Sequence, residues 1–293
     1  MMRSIFRTVR NYLSLVKFSH TVFAMPFALI GFSLAVWGDG NNFSIKLLIL
    51  IILCMIFARN AAMAFNRFAD KKYDARNPRT SSRELPSGKI GSRSAVIFVI
   101  INSLLFVIAV GFINRLTLFL SPVALLIILG YSLTKRFTSL CHFILGLGLS
   151  LAPIGAYISV AGSFSLLPVI YSLIVLTWVS GFDIIYSLQD DEFDRSNKLH
   201  SLPSSAGRKK ALAISIVVHA VTTFLVLTSL FLQHGGYLHW IGAFIFASLL
   251  VYQHFIVKHD DLSKVTLAFG TTNGIASILF AVFVILDLWL RSR

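Results

Sequence analysis

Nine stretches of this chain stay apolar long enough to cross the roughly 30 Å hydrocarbon core of a bilayer, a distance that takes about 20 helical residues at about 1.5 Å of rise each. They lie near residues 20 to 37, 45 to 65, 94 to 113, 116 to 133, 139 to 161, 165 to 188, 211 to 232, 237 to 257 and 265 to 288. Little of the 293-residue chain is left for anything else. The expected fold is therefore an all-α, polytopic membrane protein, one domain over residues 1–293 built as a bundle of about nine transmembrane helices. Composition agrees: 56% hydrophobic residues, 13% charged residues and a mean hydropathy of +0.80 lie well outside the range of soluble domains. The two spans meeting around Asn114 and Arg115 are the pair most easily misread as one long helix.

The first residues look like a signal peptide, but no small-residue cleavage site precedes a soluble region. An interfacial amphipathic turn running into a retained first span is expected instead. Cys54 and Cys141 sit in or beside apolar runs without CxxC spacing, so both read as packing residues. With the N-terminus on the cytoplasmic side, the tail and the loops after spans two, four, six and eight hold 21 of the 26 Lys and Arg residues. The opposite face holds Lys46, Arg115, Arg291 and Arg293, and Arg59 falls inside span two. That asymmetry sets the orientation by the positive-inside rule. It also accounts for the net charge of +14 through attraction to anionic membrane lipid, without nucleic acid, since no soluble module interleaves aromatic and basic residues.

The loop after span two begins "AFNRFADKKYDARNPRTSSRELPSG" at Ala64. Asn66, Asp70 and Asp74 are four apart, so they line one face if the helix continues past the bilayer. After span six comes "GFDIIYSLQDDEFDRSNKLHSLPSSAGRKK", in which Asp190 and Asp194 repeat the spacing at a helix end, again followed by basic residues and Pro. Spans two and six run the same way and deliver their acids to the same side, where the two sites can face each other across one cavity. A single DxxxD at a helix end is most often a solvated face; two copies backed by Arg, Lys and Pro are hard to explain by solvation. The chemistry that suits them is a polyphosphate held by hard cations, because magnesium takes one or two carboxylates plus phosphate oxygens and water. In a membrane the natural substrate is an isoprenoid diphosphate, with its tail in lipid and its head at the interface. Metal and basic side chains would stabilise diphosphate as it leaves an allylic cation.

These motifs resemble those of the UbiA superfamily of membrane prenyltransferases, over essentially the whole chain. Members carry an NDxxDxxxD-type first motif and a DxxxD second motif; here they read "NRFADKKYD" and "DDEFD". Also family-like are "RNAAMAFN", "RTSSRELPSG" and "YSLTKRFT". The resemblance implies a nine-helix bundle open laterally to lipid, with cytoplasmic-side cap loops at about 66–93 and 189–210, and Mg2+-dependent transfer of a polyprenyl chain from polyprenyl diphosphate to an aromatic acceptor. By motif match Asn66, Asp70, Asp74, Asp190 and Asp194 would hold magnesium, the four aspartates being the catalytic set. Arg67 stands where the family's first motif has an acid, which either weakens metal binding or supplies a direct phosphate contact; guanidinium geometry favours the contact.

Further candidates for substrate binding are Arg59, Tyr131, Lys135, Arg136, Lys71, Lys72, Arg79, Arg83 and Lys198. Arg59 lies about two turns deeper than Asn66 on roughly the same face and should point into the cavity, the plain alternative being a buried ion pair with Asp183. Tyr131 and Lys135 are four apart, and Lys135 or Arg136 can reach a diphosphate or an acceptor carboxylate; ordinary positive-inside anchoring is their plain alternative. Asp191 and Glu192 cannot both face as Asp190 does. The span from Phe182 to Pro203 resembles the bacterial 4-hydroxybenzoate polyprenyltransferase-like branch, which also includes futalosine-route enzymes that prenylate 1,4-dihydroxy-6-naphthoate. Either acceptor is a phenolic carboxylate, and the residues named do not separate them. Haem farnesylation is disfavoured because histidines such as His20 and His219 form no evident haem-handling set. This branch places the chain in a bacterial inner membrane with a cytoplasmic-side site; oligomeric state is left open.

Other classes fit less well. A secondary transporter would favour ionisable residues and broken helices near the midplane, whereas these acids cluster at one face. A CDP-alcohol phosphotransferase keeps its aspartates in one contiguous segment. A scaffold would need no paired motifs.

Overall fold

The computed structural model describes residues 10–16 and 23–293, and among them all regular structure is helical. The main elements are α1 (Met25–Gly38), α2 (Ile45–Ala69), α3 (Lys71–Arg76), α4 (Ser92–Gly111), α5 (Arg115–Thr134), α6 (Cys141–Ala161), α7 (Leu166–Ser187), α8 (Asp191–Ser196), α9 (Leu202–Ala206), α10 (Arg208–Leu232), α11 (Tyr237–Ile256) and α12 (Asn273–Arg291). Among the described residues, eight helices are long and apolar enough to cross a membrane, and α1 is a shorter apolar helix at the place of the first expected span. Residues 20–22 of that expected span lie outside the described residues. So does most of the expected interfacial turn, of which only 10–15 is seen, as helix.

Local chemistry explains where the long helices begin. Asn114 separates α4 from α5: its side-chain oxygen accepts from Thr117 N at 2.9 Å, while its amide donates to Ile158 O at 2.9 Å. One residue thus caps α5 and ties it to α6, so the two spans stay distinct. Asn114→Ala is expected to cost about 1 kcal/mol, read as a lower midpoint of thermal unfolding in detergent; an unchanged midpoint would mean the cap carries no stability. Ser44 caps α2 in the same way, accepting from Leu47 N.

α7 is the buried centre of the bundle, packed between α6 and α10. Its Trp178 is fully buried and meets Phe27 of α1, Phe246 of α11 and, through these, Phe280 of α12, with ring centroids 4.9 to 6.3 Å apart. The indole N–H donates to Asn273 Oδ1 at 2.9 Å, and Gln253 Nε2 donates to the same oxygen at 3.0 Å. Such polar pairs hold helices together where lipid offers no hydrophobic drive for association. The outer faces are apolar too; Phe119 and Phe244 are 79% and 74% exposed, as expected of side chains that meet acyl chains.

Both acidic motifs share one backbone plan. α2 ends at Ala69, Asp70 adopts φ −90°, ψ 4°, and α3 follows. α7 passes through a 3-10 turn, Leu188–Asp190, Asp190 adopts φ −111°, ψ 4°, and α8 follows. The helix therefore does not continue unbroken past Asp70, and the first aspartate of each motif sits at a break between a spanning helix and a six-residue helix carrying the second.

Candidate active site

At these breaks the bundle opens into a cavity of about 970 Å³, into which Asn66, Asp70 and Asp190 all face. Asn66 donates its amide to Asp70 Oδ2 at 3.2 Å. Asp190 is held by the loop that follows α3: Asn77 Nδ2 and Arg79 Nε both donate to its Oδ1, at 2.9 and 3.0 Å, and Arg79 Nη2 pairs with Oδ2. The loop of the first motif thus grips the acid of the second. Arg79 also donates to Tyr186 Oη at 2.9 Å.

The second aspartate of each motif is turned away from the cavity into its cap. Asp74 is buried and accepts from Arg83 Nη1 at 2.7 Å. Asp194, 1% exposed, accepts from Lys135 Nζ at 2.8 Å and Ser201 Oγ at 2.9 Å. Each keeps one buried oxygen, Asp74 Oδ2 and Asp194 Oδ1, with no hydrogen-bond partner in the protein. A buried, unpartnered carboxylate oxygen is costly, and a bound cation would offset that cost. The Lys135–Arg136 pair spans the two motifs: Lys135 holds Asp194, while Arg136 donates to Ala69 O at 2.7 Å and lies 3.6 Å from Asp70 Oδ1.

Electrostatics follow from this crowding. Burial, and then the neighbouring charge of Asp74, push the Asp70 carboxyl up to about 6 despite Lys135 and Arg136. Burial lowers the Lys135 ammonium, but its pair with Asp194 outweighs this and holds it above the ordinary lysine value. Among the described residues no three His, Cys, Asp or Glu side chains converge on one point, so the acids alone do not form a closed metal cage.

Of the other residues singled out in the sequence, Arg59, Arg67, Arg79, Arg83, Tyr131 and Lys135 line the cavity. Lys71, Lys72, Arg136 and Lys198 do not. Lys71 donates to Ser92 Oγ at 2.9 Å, Arg136 serves α2's end, and Lys198 is exposed in a left-handed turn, φ 53°, beyond α8. Asp191 is taken by Arg208, which donates to both its oxygens and reaches Glu192 at 3.1 Å. Asp183, the alternative partner considered for Arg59, is engaged by His142 instead, Nδ1 to Oδ2 at 2.7 Å. The sequence reading missed that pair and the role of Asn77; the signals were the Pro after Asn77 and a His opening an apolar helix. Below the polar end, the cavity wall is largely apolar, including Ile51, Phe106 and Leu149.

Comparison with known proteins points one way. The profile of the UbiA prenyltransferase family matches residues 24–286. A 4-hydroxybenzoate octaprenyltransferase of Aliivibrio salmonicida is 31% identical over 236 residues, 80% of this chain and 81% of that protein. One of Paraburkholderia phymatum is 30% identical over 249 residues, covering 84% and 86%. The apo structure of a UbiA homologue from Aeropyrum pernix K1 superposes with a TM-score of 0.79 at 29% identity, over 93% of this chain and 98% of that one. The fold is also shared with a UbiA homologue from Archaeoglobus fulgidus, bound to DMAPP and Mg2+, at a TM-score of 0.75 and 20% identity over 96% and 99% of the two chains.

Proposed function

This chain belongs to the UbiA prenyltransferase family, and we propose that it transfers a polyprenyl chain from polyprenyl diphosphate to a phenolic aromatic carboxylate, 4-hydroxybenzoate, with Mg2+ as cofactor. The observation that carries this reading is one cavity shared by Asp70 and Asp190, ringed by Arg67, Arg79, Arg83 and Lys135 at its polar end and largely apolar beyond. That is the shape and charge of a diphosphate head with a hydrocarbon tail. The two sequence relatives named above, both 4-hydroxybenzoate octaprenyltransferases by name, favour that acceptor.

The donor set fits magnesium. It is all oxygen, two carboxylates keep an unpartnered buried oxygen, and a divalent cation would offset the burial and the neighbouring Asp74 charge that raise Asp70. By motif match Asn66, Asp70, Asp74, Asp190 and Asp194 would hold it; Asn66, Asp70 and Asp190 already face the cavity, and Asp74 and Asp194 would have to turn out of their caps to join them. Bound there, magnesium would offset the charge of the departing diphosphate. Among the chain's own groups, Arg67, Arg79, Arg83 and Lys135 bind and orient the phosphates, and the guanidinium fork suits them. The apolar wall keeps water from the allylic cation. Arg59, deeper in the cavity with Tyr131, receives the acceptor's carboxylate. The excess of Lys and Arg in these loops supports a site on the cytoplasmic side of a bacterial inner membrane, and the proposed domain is a single one over 1–293 with caps at about 66–93 and 189–210.

Membranes containing the protein are assayed with magnesium and a labelled polyprenyl diphosphate, with 4-hydroxybenzoate and 1,4-dihydroxy-6-naphthoate offered in parallel. Product from 4-hydroxybenzoate, lost on chelation and restored by added Mg2+, is the expected result. Product from the naphthoate alone would move the enzyme to the menaquinone route, and product from neither would reject the phenolic-carboxylate class. Full transfer under chelation would reject the metal.

A further inference from the structure

One ionisable pair inside the bundle has no part in holding the diphosphate. Asp183 of α7 and His142 of α6 both line the cavity, with Nδ1 and Oδ2 2.7 Å apart. Asp183 lies seven residues before Asp190, about two turns further along α7 from the phosphate end. Arg59 stands in the same relation to Asn66 on α2. Among the described residues the cavity therefore has two polar layers: an outer one of motif acids and basic residues, and an inner one with one guanidinium, Arg59, and one carboxylate, Asp183.

His142 is 2% exposed, and its other nitrogen, Nε2, accepts the backbone N–H of Leu202 at 3.3 Å. A backbone N–H can only donate, so Nε2 carries the lone pair and Nδ1 the proton. The imidazole therefore donates to Asp183, which favours the ionised carboxylate and fixes its direction. The Asp183 side chain is 21% exposed, and its second oxygen, Oδ1, accepts no hydrogen bond among the described residues. A carboxylate at this depth is expensive to keep, and serving His142 alone would not need the charge. The free oxygen and the opening onto the cavity point to a ligand that donates a proton.

We propose that Asp183, oriented by His142, takes the phenolic proton of the acceptor. The inference rests on the prenyl-transfer reading above. An acceptor whose carboxylate meets Arg59 presents its hydroxyl at the other end of the ring, and the inner layer offers one partner of each sign. Asp183 accepts the O–H proton, leaving a phenolate whose ring carbon next to the oxygen is the stronger nucleophile. The prenyl C–O bond breaks with its electron pair going to diphosphate, and the C–C bond forms at that ring carbon. The hydrogen displaced from the carbon leaves as a proton with diphosphate, and Asp183 returns its own proton to the oxygen. His142 is a positioning residue in this scheme.

The test uses Asp183→Asn in the full-length membrane protein, with 4-hydroxybenzoate and its more acidic 3-fluoro analogue as acceptors. Turnover with 4-hydroxybenzoate is expected to fall about 100-fold, the lower range for loss of a general base, with donor binding unchanged. The wild-type to variant ratio is expected to shrink with the fluorinated acceptor, which needs less help to ionise; a structural role would leave the ratio the same for both. An equal ratio, or wild-type turnover in the variant, overturns the assignment. Should Asp183→Asn fail to fold in detergent, His142→Phe, which leaves the carboxylate without its orienting donor, is put through the same ratio test with the same two outcomes. Loss of the prenyl-transfer reading itself would appear differently, as no prenylated product from the wild-type protein.

Discussion

Asp190→Ala is expected to lower prenyl transfer by about 10³-fold or more, the upper range for losing one preorganised charge-stabilising group. The residue does two things at once. It presents a carboxylate to the cavity, and it is the point to which Asn77 and Arg79 fasten the first cap. Without it, Arg79 loses its ion pair and is held at the phosphate end only through Tyr186. Folding should survive, because Asp190 sits at a helix break outside the aromatic core. The measurement is initial transfer rate at saturating magnesium, beside the elution profile of the variant in detergent. A folded variant with more than about a tenth of wild-type turnover would be incompatible with this role, since so small a loss is under 1.4 kcal/mol of transition-state stabilisation.

The second large effect concerns stability. A Cβ added to Gly31 of α1 would lie 2.0 Å from the carbonyl oxygen of Pro153 and 2.8 Å from its carbon. Both are backbone atoms and cannot swing aside. Gly31→Val must therefore push α1 off α6 and pull Phe27 out of its contacts with Trp178 and Phe280. The expected cost is about 3 kcal/mol or more, at or beyond the usual range for overpacking, because backbone rather than a side chain has to move. Gly130→Ala in α5 is the control: nothing lies within 4 Å of its Cβ position, and alanine is favoured over glycine in a helix by up to about 1 kcal/mol. Thermal unfolding in detergent should show a large drop for the first and no drop for the second. Similar midpoints for both would mean that the α1–α6 contact does not carry the bundle.

Much of the fold was legible because length and hydrophobicity are local properties. The span expected near 45 to 65 appears as Ile45–Ala69, and the one near 237 to 257 as Tyr237–Ile256. Asn114 could be read either way until its cap bond to Thr117 and its reach to Ile158 were seen. At the site, the spacing of the acids located both motifs but not their directions. A helix continued through Asp70 would aim Asp74 with Asn66; the break there turns Asp74 to Arg83 instead. The same limit applies to the basic residues. Adjacent Lys135 and Arg136 serve opposite motifs, and Lys71 is spent on Ser92, none of which spacing encodes.

By itself the sequence determined the helical class, the approximate positions of the spans and the pairing of two acidic motifs, because each depends on residues near one another in the chain. Only the tertiary structure decided which acids enter the cavity, that Arg79 crosses to Asp190 and that His142 meets Asp183. Those contacts join residues 111 and 41 positions apart, and they exist only because packing of α6 on α7 and folding of the first cap over the second motif bring the side chains within hydrogen-bond reach.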